Sequence, residues 1–247
     1  MGVVTPAAAC YNEAMRVPRT IAIDGPSAAG KSTLGALLAG ALGYLYFDTG
    51  VMYRALALAA LRAGIDPDDE AALTELAHRL VIDVTPPTVA DGRQYTVLVD
   101  GEDVTWAIRA PEVERIVSRA ARFPAVRREM VRQQQVIGRR GQVVMVGRDI
   151  GTVVMPDADL KIYLQASLDE RARRRAADLR RRNIDMPLEQ IAAALAERDA
   201  LDAHVSQPAA DAIVLVNDGL TPDEEVAWVL RQFISDEHAL ESGHEHG

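Results

Sequence analysis

The feature that most constrains the fold is Gly25-Pro26-Ser27-Ala28-Ala29-Gly30-Lys31-Ser32-Thr33, which fills every fixed position of the phosphate-binding pattern G-x-x-x-x-G-K-S/T. Thr20-Ile21-Ala22-Ile23-Asp24 before it is a short apolar run suited to a buried parallel strand, and Leu34-Gly35-Ala36-Leu37-Leu38-Ala39 after it repeats at helical spacing. Strand, glycine loop and helix follow in the order such a loop requires. Glycines let successive backbone N–H groups turn toward one phosphate, and the helix starting near Gly30 adds the positive end of its dipole. Lys31 is placed to reach the β- and γ-phosphates of ATP, and Ser32 a bound Mg²⁺. The bland alternative is a glycine-rich strand-to-helix turn that binds nothing; all four fixed positions and both flanks stand against it.

A chain of 247 residues can bury one sizeable core with room for an inserted subdomain. Hydrophobic residues at 49% with only 4% aromatics indicate an aliphatic, soluble globular protein, and no apolar run reaches bilayer-spanning length. The single cysteine, Cys10, gives no internal disulfide framework and points to a reducing compartment, the cytoplasm. Residues 1–18 lack the pattern of a secretory signal; with 236–247 they are expected to form mobile tails around one domain, 19–235. A net charge of −9 argues against wholesale wrapping of nucleic acid. Only Lys31 and Lys161 are lysines, so nearly all positive charge is arginine, whose planar fork suits bidentate phosphate contacts.

Beyond the first helix, Gly43 reads as a helix stop and Tyr44-Leu45-Tyr46-Phe47 as a strand ending at Asp48-Thr49-Gly50. A helix from about Val51 to Arg62 then places Tyr53 and Arg54 in its first turn, near the carboxyl edge of the sheet, where ligands of open α/β sheets bind. After a helix over Asp68–Arg79 the texture changes: β-like runs at 80–84, 95–99 and 102–104, separated by Pro86-Pro87 and Asp91-Gly92, predict a small antiparallel insert over 80–106. Helical patterns return at 111–122 and 124–139. Buried strands follow at 142–146, 160–164 and 212–216, the first ending at Gly147-Arg148-Asp149. The whole predicts an α/β fold with five parallel strands interleaved with helices. His238, His244 and His246 lie in the polar end of the chain, where nothing fixes three ligands in one metal geometry.

The most basic stretch runs from Leu168 to Arg182, and Asp169 and Glu170 mark a helix start. A run of this kind can be a solvated face, a nucleic-acid contact or, in a chain with a phosphate loop, a lid whose arginines close over transferring phosphates. The segment 168–206 lies between two core strands and is far longer than a crossover needs, which favours the lid.

Together these residues resemble the bacterial cytidylate kinases, of the nucleoside monophosphate kinase group, over about Thr20 to Ile234. The motifs are Ile23-Asp24-Gly25-Pro26-Ser27, Phe47-Asp48-Thr49-Gly50 with Tyr53-Arg54, Gly101-Glu102-Asp103-Val104 with Ile108-Arg109, and Pro124-Ala125-Val126-Arg127. To these are added Gly147-Arg148-Asp149-Ile150-Gly151-Thr152-Val153-Val154 and Glu197-Arg198-Asp199 followed by Asp202. The resemblance implies a P-loop fold with an NMP-binding insert and an arginine lid, transferring the γ-phosphoryl group of ATP to CMP or dCMP with Mg²⁺ in pyrimidine nucleotide metabolism. A cytoplasmic monomer with no nucleic-acid or membrane partner is expected. Carried over by position, Ser118, Arg127 and Asp149 would read the cytosine, and Arg54 and Arg148 would hold the acceptor phosphate. Thr49 and Tyr53 would lie beside the acceptor nucleotide, Arg198 and Asp202 near its sugar, and Arg174 and Arg175 over the ATP phosphates.

Cytosine presents an amino donor beside ring acceptors, so a carboxylate such as Asp149 can take the amino group while an arginine and a hydroxyl donate to the other atoms. Uracil has an oxygen there and would leave Asp149 unpaired. One departure stands out: where these kinases usually follow the aspartate with serine, a variable residue and arginine, this chain reads Ala203-His204-Val205-Ser206-Gln207-Pro208. His204 or Arg182 could compensate, although an ordinary loop histidine is the favoured reading of His204. Two other functions remain open on sequence: a P-loop kinase for UMP or a small hydroxyl substrate, with Asp149 as base, and an ATP-sensing or RNA-binding module using the arginine helix.

Overall fold

The computed structural model describes residues 17–181, 183–203 and 205–241; Cys10, Arg182, His204, His244 and His246 lie outside them. β1 (Thr20–Asp24), β2 (Leu45–Asp48), β6 (Val143–Val146), β7 (Leu160–Gln165) and β8 (Ile213–Val216) form one sheet in the order β2-β6-β1-β7-β8. Every pairing in it is parallel, with Ile23 of β1 opposite Val146 of β6 on one side and Ile162 of β7 on the other. The expected five-stranded parallel sheet is therefore present. Val143–Val146 of β6 and Ile21–Ile23 of β1 are apolar throughout because helices cover both faces. Ile21, Ile23, Phe47 and Met145 are fully buried, each burial contributing roughly 1.5–3 kcal/mol.

The helices begin and end where local chemistry permits. α1 (Lys31–Leu42) stops at Gly43, whose left-handed conformation caps the last turn. α2 (Gly50–Arg62) leads to α3 (Glu70–Arg79), whose N-cap Asp69 accepts a hydrogen bond from the Ala72 N–H at 3.0 Å. α4 (Pro111–Ala120) and α5 (Pro124–Gly138) each open on proline, which tolerates the first helical position. Between α3 and α4 in sequence lies the expected antiparallel insert, β3 (Ile82–Thr85), β4 (Thr96–Val99) and the short β5 (Glu102–Asp103), in the order β3-β4-β5. The insert begins two residues later than the apolar run 80–84 predicts, because Leu80 closes α3 and its carbonyl accepts from Gln133 of α5 at 3.0 Å. Val84, Tyr95 and Val97 of this region share one hydrophobic cluster with Ile23 and Phe47 of the main sheet.

After β7, α6 (Leu168–Arg181) and α7 (Leu188–Asp202) form a helical hairpin with its own small apolar cluster of Ala172, Ala176, Leu179, Ile191 and Leu195. The charge-rich sequence marks α6 but not α7 as a helix. α8 (Pro222–Glu241) closes the fold and carries the backbone through 236–241, which the sequence reading assigns to a tail. Among the described residues no helix is long and apolar enough to cross a membrane.

Gly25 links this packing to the phosphate loop. Its φ is +145°, and a Cβ there would lie 2.2 Å from the Leu164 carbonyl oxygen of β7. Gly64, with φ +66°, faces open space. Gly25→Ala is expected to cost about 3 kcal/mol in urea unfolding, against about 1 kcal/mol for Gly64→Ala. Equal losses would contradict the close approach of β1 and β7.

Candidate functional site

The loop after β1 crosses the carboxyl edge of the sheet with Gly25, Ala28 and Gly30 all at positive φ, and α1 starts at Lys31. Ala28, at φ +61°, pays the strain of a left-handed residue that carries a Cβ, as residues at functional loops can. The Lys31 ammonium folds back over the loop and donates to the Pro26 carbonyl at 2.7 Å. Burial, and then the nearby Arg148, lower its amine to about 8, against the opposing pull of Asp48 and Asp24. Ser32 is exposed in the first turn of α1, beside the Tyr46 phenol.

The carbonyl side of the loop is held from behind. Arg174 of α6 donates to the carbonyls of Ala29 and Asn217, both at 2.9 Å, and to the Glu170 carboxylate at 3.0 Å. Asn217, fully buried after β8, also donates to Ala29 O at 2.9 Å and to Glu225 of α8 at 2.6 Å. Burial pushes the Glu225 carboxyl up. Arg174, which the resemblance sets over ATP phosphates, is thus engaged with loop backbone in this conformation, whereas Arg175 is exposed and lines the cleft. That cleft, about 950 Å³, runs from Ser27–Thr33 to Met186, Leu195 and Arg198 of the hairpin and to Leu220 and Pro222 before α8.

Across the sheet, β6 ends at Gly147, where a Cβ would lie 2.8 Å from the Thr49 hydroxyl and 2.5 Å from Ile150. Glycine is required for that approach. Thr49 is buried, its hydroxyl donating to the Val146 carbonyl at 3.2 Å. Arg148 and Asp149 follow, and a π-helical turn, Ile150–Val154, turns the chain back. Asp24, at the end of β1, fixes this turn: its buried carboxylate accepts the Ile150 N–H at 2.8 Å and the Gly151 N–H at 2.7 Å. Burial raises the Asp24 carboxyl despite the two N–H groups that favour its charge.

The acceptor-side residues form two corners. Asp149 accepts from Arg127 of α5 at 2.8 Å, and Tyr53 of α2 lies close enough to feel the charge of both. Ser118 is exposed on α4 and, among the described residues, makes no hydrogen bond to either. In the other corner Arg148 pairs with Asp202 at the end of α7, which also accepts from Arg198 at 3.0 Å. Burial and the neighbouring Arg198 lower the Arg148 guanidinium. Arg54 pairs with Glu114 of α4 rather than with the residues of either corner.

Three residues without a role in the sequence reading enter here. Asp24 is one. Asp48, whose carboxylate accepts the Gly50 N–H at 3.0 Å, is raised by burial and faces Lys31, Arg54 and Arg109. Arg109 stacks over Trp106 at 5.0 Å and reaches the Tyr95 hydroxyl at 3.4 Å, near Asp48. A charged residue ending each of two apolar strands was the available signal for Asp24 and Asp48. Arg109 carried none beyond its place in a motif.

No group of three or more His, Cys, Asp or Glu side chains among the described residues could hold a metal ion. An oxygen-seeking cation that keeps its waters fits what is present: the exposed Ser32 hydroxyl beside the loop.

The family model described as cytidylate kinase matches residues 21–235. A cytidylate kinase of Chloroflexus aggregans is 89% identical over 93% of this chain and 100% of its own length. One from Roseiflexus castenholzii is 61% identical over 87% of this chain and 94% of its own. A solved shikimate kinase from Acinetobacter baumannii aligns over 90% of this chain and 96% of its own at 16% identity with a TM-score of 0.44. A phosphate loop, a β insert and an arginine-bearing hairpin around one parallel sheet thus occur in a sequence that matches one family model from β1 to α8, and the chain belongs to the cytidylate kinase family.

Proposed function

We infer that this protein transfers the γ-phosphoryl group of ATP to the phosphate of CMP or dCMP, giving ADP and CDP or dCDP. The observation that carries the reading is the tie between Asp24 and the Ile150–Gly151 turn, which holds the phosphate loop beside Arg148 and Asp149 on adjacent strands. Membership in the cytidylate kinase family supports it.

The loop N–H groups and α1 bind the donor phosphates, with Gly25 to Thr33 as the donor site. Lys31 leaves the Pro26 carbonyl for the phosphate oxygens, where its charge offsets charge spread over the equatorial oxygens. Ser32 would hold Mg²⁺ through its hydroxyl, and the ion would supply charge neutralisation to the phosphates when bound. Arg148, Arg54 and Arg109 take the acceptor phosphate, and Arg198 and Asp202 its sugar. Asp149 accepts the cytosine amino group, with Arg127 and Ser118 donating to the ring and Tyr53 and Thr49 shaping the pocket. Arg175 closes over the donor, and Arg174 joins it on exchanging the loop carbonyls for phosphate oxygens. A general base is unnecessary, because a phosphate monoester with a second pKa of ~6 is already mostly dianionic at neutral pH. The hairpin excludes water from the transfer. A cytoplasmic enzyme working without a nucleic-acid partner agrees with the net charge of −9.

Lys31→Ala is expected to lower kcat about 10³-fold while thermal unfolding stays near that of the parent; near-parental turnover would overturn the mechanism. Lys31 also makes donor binding pH-linked. Its amine is depressed to about 8 in the free protein, so above that pH it is neutral, and phosphates recharge it. MgATP binding should therefore take up most of one proton at pH 9 and far less at pH 7, read by calorimetry in buffers of different ionisation enthalpy. With a panel of CMP, dCMP, UMP, AMP and shikimate, the cytidine nucleotides should give the fastest ADP production. Asp149→Asn should cut kcat/KM for CMP about 10²-fold and narrow its lead over UMP; an unchanged CMP-to-UMP ratio would remove Asp149 from base recognition.

A further inference from the structure

Arg171 is the most buried arginine of α6, at 5% exposure, and none of the roles above uses it. Its Nη1 and Nη2 donate to the two carboxylate oxygens of Asp199 at 3.0 and 2.6 Å, and Nη1 also donates to the Ser27 carbonyl of the phosphate loop at 3.2 Å. Arg171 thereby fastens α7 to the donor loop by a planar fork in which both ends of the carboxylate are fixed. Asp199 stands next to Arg198 and one helical turn before Asp202, the residue that pairs with Arg148. A continuous series of contacts thus runs from Ser27 through Arg171 and Asp199, along the last turn of α7, and through Asp202 to Arg148 at the end of β6.

We propose that Arg171 is a positioning residue that sets the pose of the α7 end, and with it the sugar side of the acceptor site, from the donor loop. Two features separate this role from general support of the hairpin. α6 has a second attachment to the loop through Arg174, so weakening Arg171 releases α7 while α6 stays in place. The Nε of Arg171 is buried without a hydrogen-bond partner, beside a pocket of about 400 Å³ lined by Pro26, Tyr163, Asp202 and Ser206. Burying that donor unsatisfied is a cost the site bears while the fork is held in this one orientation. A lysine at 171 would keep the charge but present a single ammonium, which cannot reproduce the paired contacts to Asp199.

The kinetic part rests on the acceptor reading given above, so the test has two arms. In the first, hydrogen exchange of the nucleotide-free protein compares the parent with Arg171→Lys and Asp199→Asn. The α7 amides from 198 to 202 are expected to exchange about tenfold faster in both variants, with α6 little changed. Unchanged α7 exchange overturns the clamp whatever the substrate. In the second, steady-state kinetics should show KM for CMP raised about tenfold in each variant, KM for ATP within about twofold, and the double variant no worse than the weaker single one. Arg171→Lys should recover melting temperature relative to Arg171→Met without recovering KM for CMP. Equal rises in both KM values, additive effects, or kinetics that follow melting temperature would assign Arg171 a merely structural role. Absence of CMP-dependent turnover in the parent would instead overturn the acceptor reading, and the exchange arm would still decide the clamp.

Discussion

The site depends first on one buried carboxylate. Asp24 ends the central strand and has lost most of its water, so its charge needs hydrogen bonds in place of solvation. Two backbone N–H groups of the turn after β6 provide them. The same atoms that compensate the desolvation also determine where that turn lies, and Arg148 and Asp149 are its immediate predecessors. The donor loop leaves β1 on the other side of Asp24. The two loops are therefore referred to one group, and the turn after β6 cannot shift without unpairing a buried charge.

The donor loop shows a division between its two polar faces. Its N–H groups other than those of Ala29 and Thr33, which bond to Pro26 O and Gly30 O, have no protein partner among the described residues, whereas the carbonyls of Pro26, Ser27 and Ala29 are taken by Lys31, Arg171, Arg174 and Asn217. Donors drawn from α6, the end of β8 and the loop itself make this division, and it gives the loop a net positive aspect toward the cleft. It also explains why an arginine-rich helix is compatible with an acidic protein. Arg171 and Arg174 are structural partners of backbone carbonyls and carboxylates, Arg173 and Arg181 pair with Glu170 and Asp178 at the surface, and Arg175 is exposed where it lines the cleft.

The residues proposed for the acceptor are held differently, in ion pairs that a bound nucleotide would share or replace. Asp149 with Arg127, Asp202 with Arg148 and Arg198, and Arg54 with Glu114 are all partnered within the protein. Such pairing keeps partly buried charges from standing alone and holds the forks near the orientation in which a phosphate or a base edge would meet them.

The sequence by itself determined the order of the strands, the parallel sheet, the antiparallel insert and the loop from Gly25 to Thr33, because these follow from apolar periodicity, turn residues and a fixed local spacing, whereas α7 and α8 carried no such signal. It also carried the family motifs. What only the tertiary structure decided is which charged side chains are committed to the protein itself. Nothing local distinguishes Arg171 from Arg175, four residues on, yet one is buried against Asp199 and Ser27 and the other faces the cleft. Asp24 and Gly151 are 127 positions apart, and Arg109 comes near Asp48 because the short turn that carries it, Ala107–Arg109, packs against α2. Hydrogen bonds and charge interactions act over a few ångströms in space regardless of separation along the chain, so their partners become known only once the strands are placed side by side.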